Sequence, residues 1–405
     1  MKKEITPAQT MISDVCRVKK DERVLIIANP ETNVVAQDLF EAARDAGAQP
    51  VLMFQPAKKS LDNAAPEVLA AIAAEPDVCF SVSAVKLGKD PHGAAHPYKD
   101  DRDVEYDHIF DYLLYGKKAM RAVWTPGITQ SMYERTVRID YDELARRCSA
   151  LEQLYENAVN VHVTAPGGTD IVVPVKGRKA LKDDGDFSTP GTGGNIPSGE
   201  VFISPVVGTG NRQEPFAAAE NLLDRITRRN VKKNGSSEED AGSTGAVLPA
   251  GAAGTIVFDG SMTFGDGDAL LETPITVQVS AGFVTEITGG DEARRLKKTI
   301  LEAESKAAAM EKDGRLPAGM GLVYRRNARN IGELGIGLNP AAVITGNMLE
   351  DEKAFRTCHF AIGENYDNDA PALIHLDGVV RDPTIVLTYE DSSTKMILLN
   401  GEIQF

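Results

Sequence analysis

Two textures of hydrophobic patterning divide the chain. In its first third, short continuous apolar runs alternate with segments whose apolar residues recur at helical spacing. Arg23-Val24-Leu25-Ile26-Ile27-Ala28-Asn29 is one such run and ends in a turn signal, the pattern of a strand buried on both faces. From Pro30 to Gly47, the residues Val35, Leu39, Ala42 and Ala43 share one helical face, and Gly47 supplies a C-terminal cap. Pro50-Val51-Leu52-Met53-Phe54 reads as the next strand, 66–74 as an Ala/Leu-rich helix, and Val78-Cys79-Phe80-Ser81-Val82 as a third strand. Strands alternating with helices imply parallel βαβ units. The expectation is an α/β protein whose N-terminal α/β domain, with parallel strands, spans residues 1–150.

A helical pattern over 139–158 leads into a different texture. Val161-His162-Val163-Thr164 and Asp170-Ile171-Val172-Val173-Pro174-Val175 flank Gly167-Gly168 and predict a β-hairpin. Further strands are predicted at 255–259, 275–279, 283–287, 384–388 and 396–399, with a long amphipathic helix over 292–309. Residues 151–405 are therefore expected to form a larger C-terminal α+β domain. Within it, residues 226–254 are polar and Gly/Ala-rich and read as a mobile surface loop or insertion.

Charge and cysteine content narrow the class. A formal net charge of −15 argues against nucleic acid and membrane surfaces as partners. Cys16, Cys79, Cys148 and Cys358 are widely spaced and form no CxxC pair, as expected of reduced cysteines in a cytoplasmic protein. The N-terminus lacks the apolar core of a signal peptide, and no run approaches the ~20 apolar residues that span a bilayer. After Ile27-Ala28-Asn29 comes Pro30-Glu31-Thr32-Asn33, so the glycines that would cradle a dinucleotide phosphate are missing.

The chemistry sits late in the chain. His92 and His96 are four apart, but Pro91, Gly93 and Pro97 make their segment a loop rather than the helix a metal pair needs. His162 falls in a strand and reads as structural. His375-Leu376-Asp377 is different, because on a strand residues i and i+2 point to one face. Glu200 opens an apolar strand after Gly199, and Glu333 lies inside the Gly-rich apolar segment Ile331-Gly332-Glu333-Leu334-Gly335-Ile336-Gly337. Charged side chains are seldom buried without a partner, and no Arg or Lys immediately flanks these residues. A shared cation is the expected partner. Gly199, Gly332, Gly335 and Gly337 permit close backbone approach around the acids, or else ordinary tight turns. Cys358, next to His359, reads as a small core residue rather than a thiolate ligand.

Four blocks in order carry a resemblance to the aminopeptidase T-like metallopeptidases, the thermophilic leucyl aminopeptidase family. They are Asn195-Ile196-Pro197-Ser198-Gly199-Glu200-Val201-Phe202, Glu333-Leu334-Gly335-Ile336-Gly337-Leu338-Asn339-Pro340, His359-Phe360-Ala361-Ile362-Gly363 and His375-Leu376-Asp377. The resemblance covers residues 160–405 well and the N-terminal part loosely. It implies Glu200, Glu333, His359, His375 and Asp377 as metal ligands, with Tyr366, seven residues after His359, also reaching the metals. It further implies a homodimer acting on peptides. Such a ligand set suits two divalent ions, Zn, Co or Mn, about 3.5–4 Å apart. Glu200 or Glu333 would then serve as proton shuttle and Tyr366 as hydrogen-bond donor or ligand. The segment from Tyr366 to His375 and the N-terminal domain are shorter than the family pattern, which bears on substrate access.

The same scaffold resembles ring-cleaving dioxygenases that act on dihydroxypyridines. There a mononuclear Fe(II) site would use His359, His375 and Asp377 as a facial triad. Glu200 and Glu333 would have no necessary role as ligands under that reading. A binding protein without catalysis is the third possibility, and no sequence feature points to its partner.

Overall fold

Arg23–Ala28 lies inside a five-stranded sheet ordered Gly193–Asn195, Arg121–Trp124, Val78–Val82, Arg23–Ala28, Gln49–Phe54. Every pairing in it is parallel. The structure is a computed structural model that describes residues 5–59, 62–208 and 251–405. Val24, Ile26 and Ala28 join one hydrophobic cluster, whereas Leu25 and Ile27 join another. The continuous apolar run is thus explained by burial on both faces. Helix Asn33–Asp45 packs with Val35, Ala36, Leu39, Ala42 and Ala43 buried, and Gly47 follows it at φ 82°.

Helix Tyr141–Tyr155 runs through residue 150, and the chain then returns to the parallel sheet with Gly193–Asn195. No apolar pattern announces that strand. A Cβ on Gly193 would stand 2.6 Å from the Ala122 carbonyl, so close approach, not hydrophobic patterning, admits it.

The rest of the chain builds two larger antiparallel sheets. The eight-stranded one contains the expected hairpin, Ala158–Thr164 against Asp170–Pro174, with Gly168 at φ 109° in the turn. The seven-stranded one runs Gly267–Leu270, Ser261–Phe264, His375–Arg381, Thr357–Gly363, Ile331–Gly337, Glu200–Ile203, Leu181–Asp183. Helix Asp291–Lys312 buries Ala293, Leu296, Ile300, Ala303 and Ala307. One contiguous core includes Ile26 of the parallel sheet together with Phe258, Leu334 and Phe360 of the later region. The fold is α/β, with a parallel-strand sheet and large antiparallel sheets.

Two expectations change. The segment around His92 is not a plain loop. Asp90 accepts hydrogen bonds from the His92 and Gly93 N–H groups (2.9 and 3.0 Å), and Pro91 at the first helical position completes a short helix, Pro91–Ala95. Both histidines are exposed, and neither joins a cluster of metal-ligating side chains among the described residues. Of the proposed insertion at 226–254, residues 226–250 lie outside the described residues. Ala253 and Gly254 already belong to strand Ala253–Phe258. No described helix is long and apolar enough to cross a membrane.

Candidate metal centre

Four neighbouring strands of the seven-stranded sheet send side chains to one point. Glu200 pairs across from Gly337, Gly335 from His359, Glu333 from Ala361, and Ala361 from Asp377. Strand alternation places Glu333, Gly335 and Gly337 on one face, and His359 with Ala361 on the matching face of the next strand. The missing Cβ at Gly335 leaves the space that the His359 imidazole fills, and the one at Gly337 admits the backbone of Lys353 and Ala354. Gly199, at φ 124°, lets two sequence blocks meet backbone to backbone. A Cβ there would lie 2.9 Å from the Asn339 nitrogen, and the Leu338 N–H donates to the Gly199 carbonyl at 2.7 Å.

The resulting geometry is tight. His359 Nε2 lies 3.1 Å from Glu333 Oε1 and 3.5 Å from Glu200 Oε2. His375 Nε2 lies 3.2 Å from both Glu333 Oε2 and Asp377 Oδ1. The HxD pair therefore acts from one face of its strand, as its spacing predicts. His375 Nδ1 is 2.9 Å from the Glu364 carbonyl oxygen. A proton on Nδ1 donates there and leaves the Nε2 lone pair facing the acids, the tautomer a metal ligand needs.

Glu200 Oε2, Glu333 Oε2 and Asp377 Oδ1 are buried and, among the described residues, face no donor except an imidazole Nε2 that can carry either a proton or a metal ion. Buried anionic oxygens are costly without a positive partner, and a cation held between them and the imidazoles would satisfy them. Ligand atoms of three residue sets lie within 4.8 Å of one another: Glu200, Glu333 and His359; Glu333, His375 and Asp377; Glu352, His359 and Asp377. The donor set fits divalent metal.

The clustered acids and imidazoles also shift one another's protonation. Burial would raise the Glu333 carboxyl, but hydrogen bonds and charge from His359 and His375 outweigh it and hold the group down at about 2. Burial opposes charge on His359, yet Glu333 raises it to about 9. His375 is also lifted well above its usual value, against burial, chiefly by the Asp377 charge.

No Arg or Lys immediately flanks these acids in the sequence, but the fold brings Lys353 to Glu200 from 153 positions away. Its side chain is wholly buried, with Nζ 3.0 Å from Glu200 Oε1 and in contact with Glu352 Oε1. Burial disfavours its charge, but Glu200, Glu352 and Asp183 prevail and push its pKa up, so it stays an ammonium. Burial in turn raises Glu352 and Asp183 to about 8. Glu352 and Lys353 are not legible in the sequence, because Glu350-Asp351-Glu352-Lys353 has the composition of a solvated charge run, and Asp183 ends a three-residue strand, Leu181–Asp183, too short to announce itself. In the structure Glu350, Asp351 and Lys353 are buried, and each is satisfied. Glu350 is held by Arg135, Asp351 accepts from the Thr345 and Gly346 N–H groups, and Lys353 pairs as described.

Tyr366 lies at the rim. It is 54% exposed, and its ring packs edge-on against His375 at 5.4 Å and against Phe202 at 5.0 Å. Among the described residues its hydroxyl makes no hydrogen bond to the cluster. Cys358 is buried with its thiol pushed up by burial, an inert core position. A cavity of about 590 Å³ beside the carboxyl ends of Val78–Val82 and Arg121–Trp124, lined in part by Ser81, Ser83, Lys86 and Trp124, includes none of the cluster residues.

No protein-family model and no curated protein sequence matches the chain. Solved structures do. The chain is similar to 2,5-dihydroxypyridine dioxygenase from Pseudomonas putida, with a TM-score of 0.61 and 19% identity over 98% of this chain and 96% of that one. It is also similar to wild-type AmpT from Thermus thermophilus, with a TM-score of 0.59 and 14% identity over 98% of both chains. At these identities the likeness is one of fold along essentially the whole chain, shared with both proteins.

Proposed function

We propose that this protein is an enzyme, a metal-dependent aminopeptidase that removes the N-terminal residue of peptides at a centre of two divalent ions, Zn, Co or Mn. One observation carries the reading. The two oxygens of Glu333 face different imidazoles, Oε1 toward His359 and Oε2 toward His375. A carboxylate so placed is suited to bridge two cations. Glu200 completes one ligand set, and Asp377 completes the other. The resemblance to the aminopeptidase T-like family and the fold shared with AmpT support the same choice.

Two bound divalent ions would polarise the scissile carbonyl and furnish hydroxide at neutral pH. The chain's own groups divide the remaining work. Glu333 is engaged through both oxygens and is a poor proton carrier. Glu200 has Oε1 held by Lys353, while Oε2 stands farther from its imidazole, at 3.5 Å. Glu200 is therefore the carboxylate that passes a proton to the leaving amine. Tyr366, with a free hydroxyl at the rim beside His375, donates a hydrogen bond to the developing oxyanion. Phe202 against Tyr366 gives the substrate side chain an apolar wall.

The competing reading is a mononuclear Fe(II) dioxygenase, favoured by the fold shared with the dihydroxypyridine enzyme. It would draw on His359, His375 and Asp377 together. Each imidazole instead shares a three-residue set with Glu333, and the two share none with each other. Metal content of anaerobically purified protein, measured beside hydrolysis of aminoacyl-peptides, tests the choice. About two equivalents of Zn, Co or Mn with release of free amino acid are expected. About one equivalent of iron, with O₂ consumed on an aromatic diol, would replace the hydrolase by the oxygenase.

A further inference from the structure

We infer that Lys353 is a built-in cation that makes the two halves of the centre unequal: Glu333, His375 and Asp377 form a tight metal site, and Glu200, Glu333 and His359 a weak, exchangeable one. The inference rests on the metal centre proposed above.

Lys353 Nζ stands 3.0 Å from Glu200 Oε1 and touches Glu352 Oε1. Glu200 and Glu352 belong to the two ligand sets that contain His359. None of the residues in the third set, Glu333, His375 and Asp377, is hydrogen-bonded to the ammonium. Two effects follow for an ion arriving at Glu200. One carboxylate oxygen is already occupied, so Glu200 offers a single oxygen. A fixed positive charge one hydrogen bond away also repels the ion, and in a buried site salt screens that repulsion little.

The lysine is not free to swing aside. Its side chain is 0% exposed. Its N–H donates to the Glu350 carbonyl at 2.9 Å, and its own carbonyl accepts from the Asn339 N–H at 3.0 Å. A lysine that merely neutralised excess acid could sit anywhere in the cluster. This one is fixed on one side of it.

Titration of chelator-stripped, full-length protein with Zn²⁺ by calorimetry tests the inference. The wild type is expected to show two affinity classes. Lys353→Met should tighten the weaker class by about ten-fold or more and leave the tighter class nearly unchanged. Lys353→Arg, which keeps the charge, should preserve the gap. Should Lys353→Met fail to fold, the assignment stands or falls on two other variants. His359→Ala must delete the weak class alone, and His375→Ala must delete the tight one. Equal affinities in the wild type, or a weak class indifferent to Lys353→Met, would overturn the role of Lys353 while leaving the centre intact. Absence of Zn²⁺ binding in every protein would instead remove the centre itself, and the inference with it.

Discussion

Gly335 lies directly across from His359 on the adjacent strand, and a Cβ at position 335 would stand 2.1 Å from the imidazole Nε2. The ring thus rests on a bare backbone. Gly335→Ala should force it off the acids, at a cost of roughly 1–3 kcal/mol in stability from overpacking. Metal content should fall along with it. A Gly335→Ala protein with wild-type melting temperature and full metal occupancy would show that the imidazole does not need this contact.

Glutamine at each acid separates bridging from terminal ligation. Glu333→Gln removes the one carboxylate common to both ligand sets and is expected to release both ions and abolish turnover. Glu200→Gln should keep one tightly held ion and lower kcat by about 10² or more, since the proton carrier is lost. His375→Ala or Asp377→Ala should abolish activity in a folded protein. Elemental analysis of the purified variants, with circular dichroism as a folding control, reads all four. Two ions retained in Glu333→Gln would end the bridging role.

Stability of the chelated protein should depend on pH with a definite sign. His359 is raised to about 9, burial opposing and Glu333 prevailing. Its folded pKa exceeds the unfolded value of about 6.5, so its contribution is complete below that value and lost as pH rises through about 9. Burial raises Glu352 and Asp183 to about 8, so the folded chain holds protons the unfolded chain has released, and stability again falls as pH rises. Glu333, held at about 2, works oppositely. Its contribution is present above the unfolded value of about 4.3 and lost as pH falls toward 2. Melting temperature with chelator should therefore peak at roughly pH 4, where the Glu333 contribution is complete and the unfolded chain has yet to release the Glu352 and Asp183 protons, and decline from there toward 9, while saturating Zn²⁺, replacing the imidazole protons, should flatten the decline above roughly pH 6.5. A metal-free profile level from pH 6 to 9 would contradict the assigned shifts.

How far the sequence could be read follows from the range of each interaction. Val24 to Ala28 announced a doubly buried strand because both faces are written in consecutive residues. His375 and Asp377 announced a shared face because strand alternation is a local rule. Glu200 and Glu333 stood out as acids in apolar or Gly-rich segments without a flanking counter-charge, and His359 through the resemblance alone. Lys353 did not. It is 153 positions from Glu200, and the acidic residues before it resemble an ordinary solvated surface. Searching only the flanks of each acid for a cation could not find it. The short strands at Leu181–Asp183 and Gly193–Asn195 were missed for a related reason, since three residues hold only one and a half periods of strand alternation and their pairing is imposed by neighbours.

The run ending in Lys353 is held in place by a residue 215 positions away in the sequence. Arg135, in helix Gln130–Thr136, reaches both carboxylate oxygens of Glu350 at 2.7 Å, and the Val343 N–H donates to the same group at 2.8 Å. Glu350 is 1% exposed, whereas Arg135 keeps a third of its surface in solvent. Arg135→Met would strand a buried carboxylate with one donor, a change worth roughly 2–4 kcal/mol, less than for a fully enclosed pair because solvent already screens the arginine. Glu350→Gln should be milder, because the stranded charge goes with it. The double variant should recover part of the loss, giving a coupling energy of about 1 kcal/mol or more. Because the Lys353 N–H donates to the Glu350 carbonyl, loosening this pair should also narrow the gap between the two Zn²⁺ affinities. Urea midpoints and Zn²⁺ isotherms measured on the same four proteins would link the two effects. A destabilised Arg135→Met that still discriminates fully between its two ions would show that Lys353 is positioned by its acids alone.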